Sequence, residues 1–424
     1  SWVTRALGPW LGWLGGWAIA MTGVLIVASL ADTAVRFGLL TMGLDDAADN
    51  YWIVTLLTIL VVLVMTAICV LGTELSARVQ NVLIVLQVLS LLVFAAVALF
   101  RAVGGDSSLD SIDPSFSWLN PFGEGGAALT GGLLLGVFAY WGWESAVNLS
   151  EETTNSKSTP GRAAIISTVI LLVTYVGVAY AVVAYAGTNF LAENQDEEEY
   201  IFGLLSTEVM GGWDWVVLLS VAVAAVASTQ TTILPASRTG LSMARRAALP
   251  RRYAHIHPRF RTPDVSTWWV AGISIVWYVV VGRISENALF DTLTALSLLI
   301  AFYYSLTGIA CAVYYRRHLT ESAKNMLLIG IGPLIGSAML IWLLIESLFD
   351  LADAENSYSG QAWFGLGPPL VIGIGVFLLG VVLMLVWRSQ NKRFWEERPG
   401  VADPDLVHGI VTARPDPLDE AGPR

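Results

Sequence analysis

The chain of 424 residues is 55% hydrophobic, only 13% charged, and carries a formal net charge of −11. Its mean hydropathy of +0.64 excludes an ordinary water-soluble domain, because such domains carry about 25% charged residues. Cys69 and Cys311 lie inside apolar runs and give no basis for a disulfide framework. The close pair His255 and His257 lacks other metal ligands nearby, so we expect no metal site there.

Ten apolar runs are long enough to cross a bilayer, which takes about 20 residues as a helix. We therefore predict an all-α integral membrane protein of about ten transmembrane helices, with one membrane domain over residues 1–395. The polar, proline-rich residues 396–424 are predicted to form a disordered cytoplasmic tail. The predicted spans, in chain order, are residues 10–31, 53–71, 82–100, 129–149, 163–186, 213–234, 265–282, 289–315, 326–349 and 366–387.

The basic residues predict the orientation, because loops rich in arginine and lysine stay in the cytoplasm. With the N-terminus inside, all but three of the 23 basic residues fall on the inner side, and only Arg36, Arg101 and Arg283 lie outside. We predict a multi-pass protein of the cytoplasmic (inner) membrane with both termini in the cytoplasm. The acidic outer loops are explained by surface solvation, or else by attraction of cations to the outer mouth.

The first span carries Gly8, Gly12 and Gly16 at four-residue spacing, a pattern that lets two membrane helices approach closely. We predict a close helix crossing here, and the alternative is a substrate site beside this thin helix face. Two further pairs have the same spacing, namely Gly132 with Gly136 and Gly332 with Gly336.

The fourth span contains Gly142 between Trp141 and Trp143, followed by Glu144. Burying a carboxylate in the bilayer costs at least about 2.5 kcal/mol, so Glu144 should face a watery cavity, have a partner or be protonated. A helix interrupted at Gly142 would offer free backbone groups to a substrate. The alternative is that the tryptophans only pack and that Glu144 extends to the membrane surface.

Hydroxyl groups within two later spans are further candidates. Ser228 and Thr229 in the sixth span either bond back to their own helix or hold a cation. Tyr303 in the eighth span either lines a cavity or packs in the core. These residue types alone leave both alternatives open.

Three separated stretches carry more specific motifs. They are RALGPWLGWLGGW at residues 5–17, FAYWGWESAVNLSEETTNSKSTPGRA at 138–163, and SRTGLSMARRAALPRRYAHIHPRFRTP at 237–263. In order and spacing they resemble three parts of the amino acid, polyamine and organocation (APC) superfamily of permeases, in its bacterial and archaeal amino acid branch. These parts are the start of the third helix, the broken sixth helix with its following loop, and the loop after the eighth helix.

The resemblance implies a five-plus-five inverted repeat with substrate bound near the membrane centre, and a secondary active transporter that works by alternating access. It assigns substrate contacts to Phe138, Ala139, Tyr140, Trp141 and Gly142. It also assigns a gating or protonatable role to Glu144, and a possible cation site to Ser228 and Thr229.

The expected partners are an amino acid or related amine, the lipid bilayer, and a coupling ion, H⁺ or Na⁺. No enzymatic activity, cofactor, metal or nucleic acid is expected. The family's first two helices have no counterpart here, so the resemblance implies a fold truncated at its N-terminus. The alternative function is a non-transporting scaffold or sensor that is the remnant of a permease.

Overall fold

The computed structural model describes residues 2–107, 109–120, 126–148, 158–194, 201–284, 288–397 and 399–400. Most of the predicted tail, residues 396–424, lies outside this part of the chain. The described residues form helices joined by turns, which confirms the all-α prediction. The α-helices are α1 (Trp2–Leu7), α2 (Pro9–Thr41), α3 (Asp45–Ala48), α4 (Tyr51–Leu71), α5 (Thr73–Gly104), α6 (Gly126–Ala139), α7 (Ser145–Asn148), α8 (Thr159–Glu193), α9 (Ile201–Met210), α10 (Asp214–Arg245), α11 (Asp264–Val281), α12 (Ala288–Tyr314), α13 (Ala323–Asn325), α14 (Gly332–Asp350) and α15 (Pro368–Gln390).

Within the described residues, nine helical segments are long and apolar enough to cross a membrane, and each overlaps one of the predicted spans. The fourth predicted span, residues 129–149, is the one predicted span without such a long helix among the described residues. Its helix α6 has only 14 residues, about 21 Å at 1.5 Å per residue, and a hydrocarbon core is about 30 Å thick. The run is therefore not one continuous helix, in agreement with the interruption predicted near Gly142.

Helix α2 occupies the centre of the bundle and packs against α4, α10, α11, α12 and α15. The largest buried apolar cluster joins it to α12, with Leu25 and Ile26 on one side and Leu296 and Ile300 on the other. All four side chains are almost completely buried. Because these buried side chains pack closely, they hold α2 and α12 together, and the two helices form the core beside the candidate site.

The outer helices expose apolar side chains instead. On α8, Ile165, Ile166, Val169 and Val173 are each more than half exposed. Water-soluble proteins rarely expose an apolar surface this continuous, and hydrocarbon solvates it at no cost. We therefore assign this face of α8 to the lipid.

The close approach predicted for the first span is confirmed at two of its glycines. A Cβ on Gly12 would lie 2.1 Å from Thr4 Oγ1 of α1, and one on Gly16 would lie 3.0 Å from Met243 Sδ of α10. Among the described residues, a Cβ on Gly132, Gly136 or Gly336 would meet nothing within 4 Å. The repeated glycine spacing therefore does not produce tight packing at those positions.

The two ends of the described chain meet at one end of the bundle. The backbone N–H of Gly400 donates to the carbonyl of Arg5 at 2.7 Å, and Arg246 pairs with Glu397 at 3.4 Å. Arg283 lies at the opposite end, stacked over the rings of Tyr51 and Trp52. The described ends, near Arg5 and Gly400, therefore lie at the end of the bundle opposite Arg283.

Candidate functional site

The candidate site is built around an interrupted helix. Helix α6 ends at Ala139, residues 140–144 form turns, and α7 begins at Ser145. Gly142 adopts φ +110°, a conformation that costs glycine little and most other residues much more. The backbone turns on itself, with Trp141 N–H donating to Phe138 and Ser145 N–H donating to Gly142. The predicted interruption near Gly142 is therefore confirmed.

Glu144 is buried at this interruption, with 9% of its surface exposed. Its Oε1 accepts from the Tyr303 hydroxyl at 2.8 Å. Its Oε2 accepts from the Tyr304 hydroxyl at 2.5 Å and from the Gly142 N–H at 3.1 Å. Three donors thus compensate for the lost hydration of one carboxylate. Of the alternatives given by the sequence, the structure shows a partnered carboxyl group that does not extend to the surface.

Trp141 extends this network to a fourth side chain. Its Nε1–H donates to the Tyr303 hydroxyl at 2.5 Å, and Tyr303 in turn donates to Glu144. A hydroxyl can donate once and accept as well, so Tyr303 satisfies both neighbours. Tyr303 is only 2% exposed, and the network therefore holds the turn firmly against α12. We call these four residues, Trp141, Glu144, Tyr303 and Tyr304, the carboxylate network.

The residues predicted to contact the substrate, which we call the substrate wall, pack against two different parts of the bundle. Phe138 and Trp141 pack against the apolar cluster of α2 and α12, with their rings 6.2 Å apart. Tyr140 lies against Tyr175 of α8 with ring centroids 5.5 Å apart, and the Tyr175 hydroxyl donates to the Ala139 carbonyl at 2.9 Å. Phe138 and Trp141 therefore lie on the side of α2 and α12, whereas Tyr140 contacts α8.

Tyr304 and Tyr175 were not among the predicted site residues. Tyr304 follows Tyr303 directly on α12, and residues adjacent in a helix usually point in different directions. Here the two rings meet edge to face, 4.8 Å apart, and both hydroxyls reach one carboxylate. In the sequence, the feature that could have indicated Tyr304 is the presence of two consecutive tyrosines in an apolar span.

Comparison with known proteins identifies the family. The Amino acid permease family model matches residues 1–386. The chain belongs to this family. The permease is 23% identical to the methylthioribose transporter of Bacillus subtilis over 75% of its own length and 62% of that protein. It is 31% identical to an uncharacterized transporter of Mycobacterium tuberculosis, with coverage of 61% and 53%. It is 23% identical to the branched-chain amino acid permease of Lactococcus lactis, with coverage of 88% and 80%.

The permease thus spans only 62% and 53% of the first two of these relatives. The family fixes the fold, an all-helical membrane bundle.

The predicted cation residues lie on α10 of the permease. The buried Thr229 hydroxyl donates to the Ala225 carbonyl at 2.8 Å, and Ser228 is partly exposed. In the described part of the chain, no hydrogen bond or ring contact joins either residue to the carboxylate network. Thr229 therefore bonds back to its own helix, but its oxygen lone pairs remain able to face a cation.

Replacing Tyr303 with phenylalanine should destabilise the permease. The Tyr303→Phe change leaves both Trp141 Nε1 and Glu144 Oε1 without this partner, and a buried polar group without a bond costs about 1–3 kcal/mol. We expect a loss of about 2 kcal/mol, measured as a lower melting temperature of the purified protein in detergent. Tyr314→Phe on the same helix is the control, since its hydroxyl has no partner among the described residues. Equal melting temperatures for the two variants would contradict the network.

Proposed function

We propose that the permease is a secondary active transporter that moves amino acids or related amines across the cytoplasmic membrane by alternating access. The observation that carries this proposal is the interrupted helix α6–α7, where aromatic side chains and a buried carboxylate meet the central helices α2 and α12. Interrupted helices at the bilayer centre supply backbone groups to substrates in several transporter folds. A non-transporting scaffold is not favoured, because the matching relatives are named as transporters or permeases.

The chemistry of the site favours a substrate with an uncharged side chain. Phe138 and Trp141 supply apolar ring surface, and Glu144 already accepts three hydrogen bonds. A cationic side chain would have to share this carboxylate with three donors that already compensate its charge. The branched-chain amino acid permease and the human Asc-type amino acid transporter 1 carry names that agree with an amino acid substrate.

Coupling to H⁺ or Na⁺ is part of the proposal. Glu144 is the buried carboxyl group at the interrupted helix, and a change in its protonation would remove one acceptor from the carboxylate network. Ser228 and Thr229 offer hydroxyl oxygens, which are hard ligands that suit a sodium ion. We place both termini in the cytoplasm, because the basic residues concentrate at the end of the bundle where Arg5 and Gly400 meet.

Uptake into proteoliposomes by the full-length protein tests this function. We expect uncharged amino acids to be taken up at least about tenfold faster than arginine, lysine or polyamines, because a cation here loses hydration beside a carboxylate that is already compensated, and about 1.4 kcal/mol of such cost is a factor of ten. Imposing pH and sodium gradients separately identifies the coupling ion.

Phe138→Ala should lower the uptake of apolar amino acids by about tenfold, since removing a ring contact costs the substrate about 1.5 kcal/mol of apolar burial. The control is Phe349→Ala, which removes an exposed ring from α14. Preferred uptake of cations, or equal uptake by both variants, would contradict this assignment of the substrate wall.

A further inference from the structure

A pocket lies at the C-terminal end of α15, far from the carboxylate network in the chain. Its volume is about 490 Å³. It is formed where α15 ends and a short 3₁₀ helix, Arg393–Glu396, turns back. The lining residues are Leu385, Arg388, Ser389, Lys392, Trp395 and Glu396.

Two cations of this pocket, Arg388 and Lys392, have no counterion among the described residues. Within the described part of the chain, neither Arg388 nor Lys392 forms an ion pair or a side-chain hydrogen bond. The Arg388 guanidinium stacks over the Trp10 ring at 4.5 Å, and Trp10 lies 5.2 Å from Trp395. The stack fixes the position of the guanidinium and leaves its N–H groups at the ring edge for an acceptor.

Tryptophans place this pocket at the membrane surface. Trp387 donates its Nε1–H to the Ala247 carbonyl at 2.9 Å, and Trp10 is 39% exposed. Together with the partly exposed Trp395 they form a group of tryptophans at this end of the bundle. Tryptophan collects where the hydrocarbon meets the headgroups, because its ring is apolar and its N–H is polar. The pocket therefore lies at headgroup depth.

Below the pocket, α15 presents an apolar stripe toward the lipid. Leu378, Val382 and Leu385 follow one another at helical spacing and are each at least half exposed. The same face continues to Ser389, near the last residue of α15, and Lys392 follows two residues beyond the end of the helix. From the bilayer outward, this end of α15 therefore presents an apolar surface, then a hydroxyl, and then a cation in the segment that follows.

We propose that this pocket binds the headgroup of an anionic phospholipid, a phosphoglycerol group, with the acyl chains along Leu378 and Val382. Arg388 and Lys392 hold the phosphodiester, which is the acceptor that matches a guanidinium fork and an ammonium. Ser389 and Glu396 face the glycerol hydroxyls, which can donate to a carboxylate. Glu396 repels a second phosphate charge, and the two cations Arg388 and Lys392 repel the ammonium of a zwitterionic headgroup.

Native mass spectrometry of the full-length protein tests the proposal by titration with phosphatidylglycerol, phosphatidylethanolamine and phosphatidylcholine of identical acyl chains. We expect phosphatidylglycerol to bind at least about fivefold more tightly than the other two lipids. The double variant Arg388→Gln/Lys392→Gln should lose about 30-fold in affinity for phosphatidylglycerol, at about fivefold for each charge near the membrane surface. Its affinity for phosphatidylcholine should fall much less, because the net charge of that lipid is zero. An unchanged melting temperature shows that the variant is folded.

Arg283→Gln is the matched control, because Arg283 is also stacked on aromatic rings but lies at the other end of the bundle. It should bind phosphatidylglycerol like the unchanged protein. If the double variant does not purify, Lys392→Gln alone, at an exposed position, should show the fivefold loss. Three outcomes overturn the proposal: equal binding of the three lipids, unchanged affinity in the variants, or displacement of the lipid by an equal concentration of inorganic phosphate.

Discussion

Replacing Glu144 with glutamine should lower the rate of uptake by the full-length protein by about tenfold or more. The Glu144→Gln change keeps the shape of the side chain but removes its charge and puts an NH₂ group where Oε1 or Oε2 accepts a hydrogen bond. Hydrogen bonds to a charged group contribute about 1.5–3 kcal/mol each, and 1.4 kcal/mol corresponds to a factor of ten. Initial rates of uptake into proteoliposomes measure the effect.

The control for this change is Glu346→Gln. Glu346 lies on α14 with an exposed side chain, so the variant removes the same charge from another apolar helix. We expect its uptake to stay within about twofold of the unchanged protein. Membrane expression of both variants must be equal for the comparison. If Glu144→Gln transported as fast as Glu346→Gln, Glu144 would have no gating or protonatable role.

Replacing Gly187 with alanine should cause the largest loss of stability among single changes considered for the fold. Gly187 lies at a kink inside α8 with φ +72° and ψ 161°, a conformation that costs residues other than glycine about 1–3 kcal/mol. A Cβ there would also lie 2.0 Å from the backbone carbonyl oxygen of Asp110, and such overpacking costs about 1–3 kcal/mol. We expect Gly187→Ala to lose about 4 kcal/mol, seen as a lower melting temperature in detergent.

Gly177→Ala on the same helix gives the opposite expectation. A Cβ at Gly177 meets nothing within 4 Å among the described residues, and alanine favours a helix by about 1 kcal/mol over glycine. This variant should melt at the same temperature as the unchanged protein or slightly higher. Similar melting temperatures for the two alanine variants would contradict this prediction, because they would show that the contact between Asp110 and α8 does not require glycine at position 187.

The apolar runs predicted the helices well because lipid imposes a simple rule on length and polarity. The first span shows where that rule stops working. It was predicted to end at Ala31, before Asp32 and Arg36, but α2 continues to Thr41. The two charges pair at 2.9 Å one helical turn apart, and Tyr278 of α11 donates to Asp32. Paired charges can continue a membrane helix, and hydropathy alone does not reveal the pair.

The site was predicted in part for a similar reason. A glycine between aromatic residues and before an acid indicated the interruption, since each of these features is local in sequence. The partners of Glu144 are about 160 positions away on α12, and no spacing rule reaches that far. The packing direction of Tyr140 toward Tyr175 of α8 also depends on tertiary structure. Local chemistry indicated which residues matter, and the fold determined which of them meet.

The carboxylate network has a consequence for how the bundle can move. Tyr303 and Tyr304 both belong to α12, and both donate to the one carboxylate that also accepts from Gly142 in the turn. A tilt or slide of α12 therefore pulls the turn with it unless the two tyrosine bonds break in the same step. As long as these bonds hold, the aromatic residues beside Gly142 and helix α12 change position together.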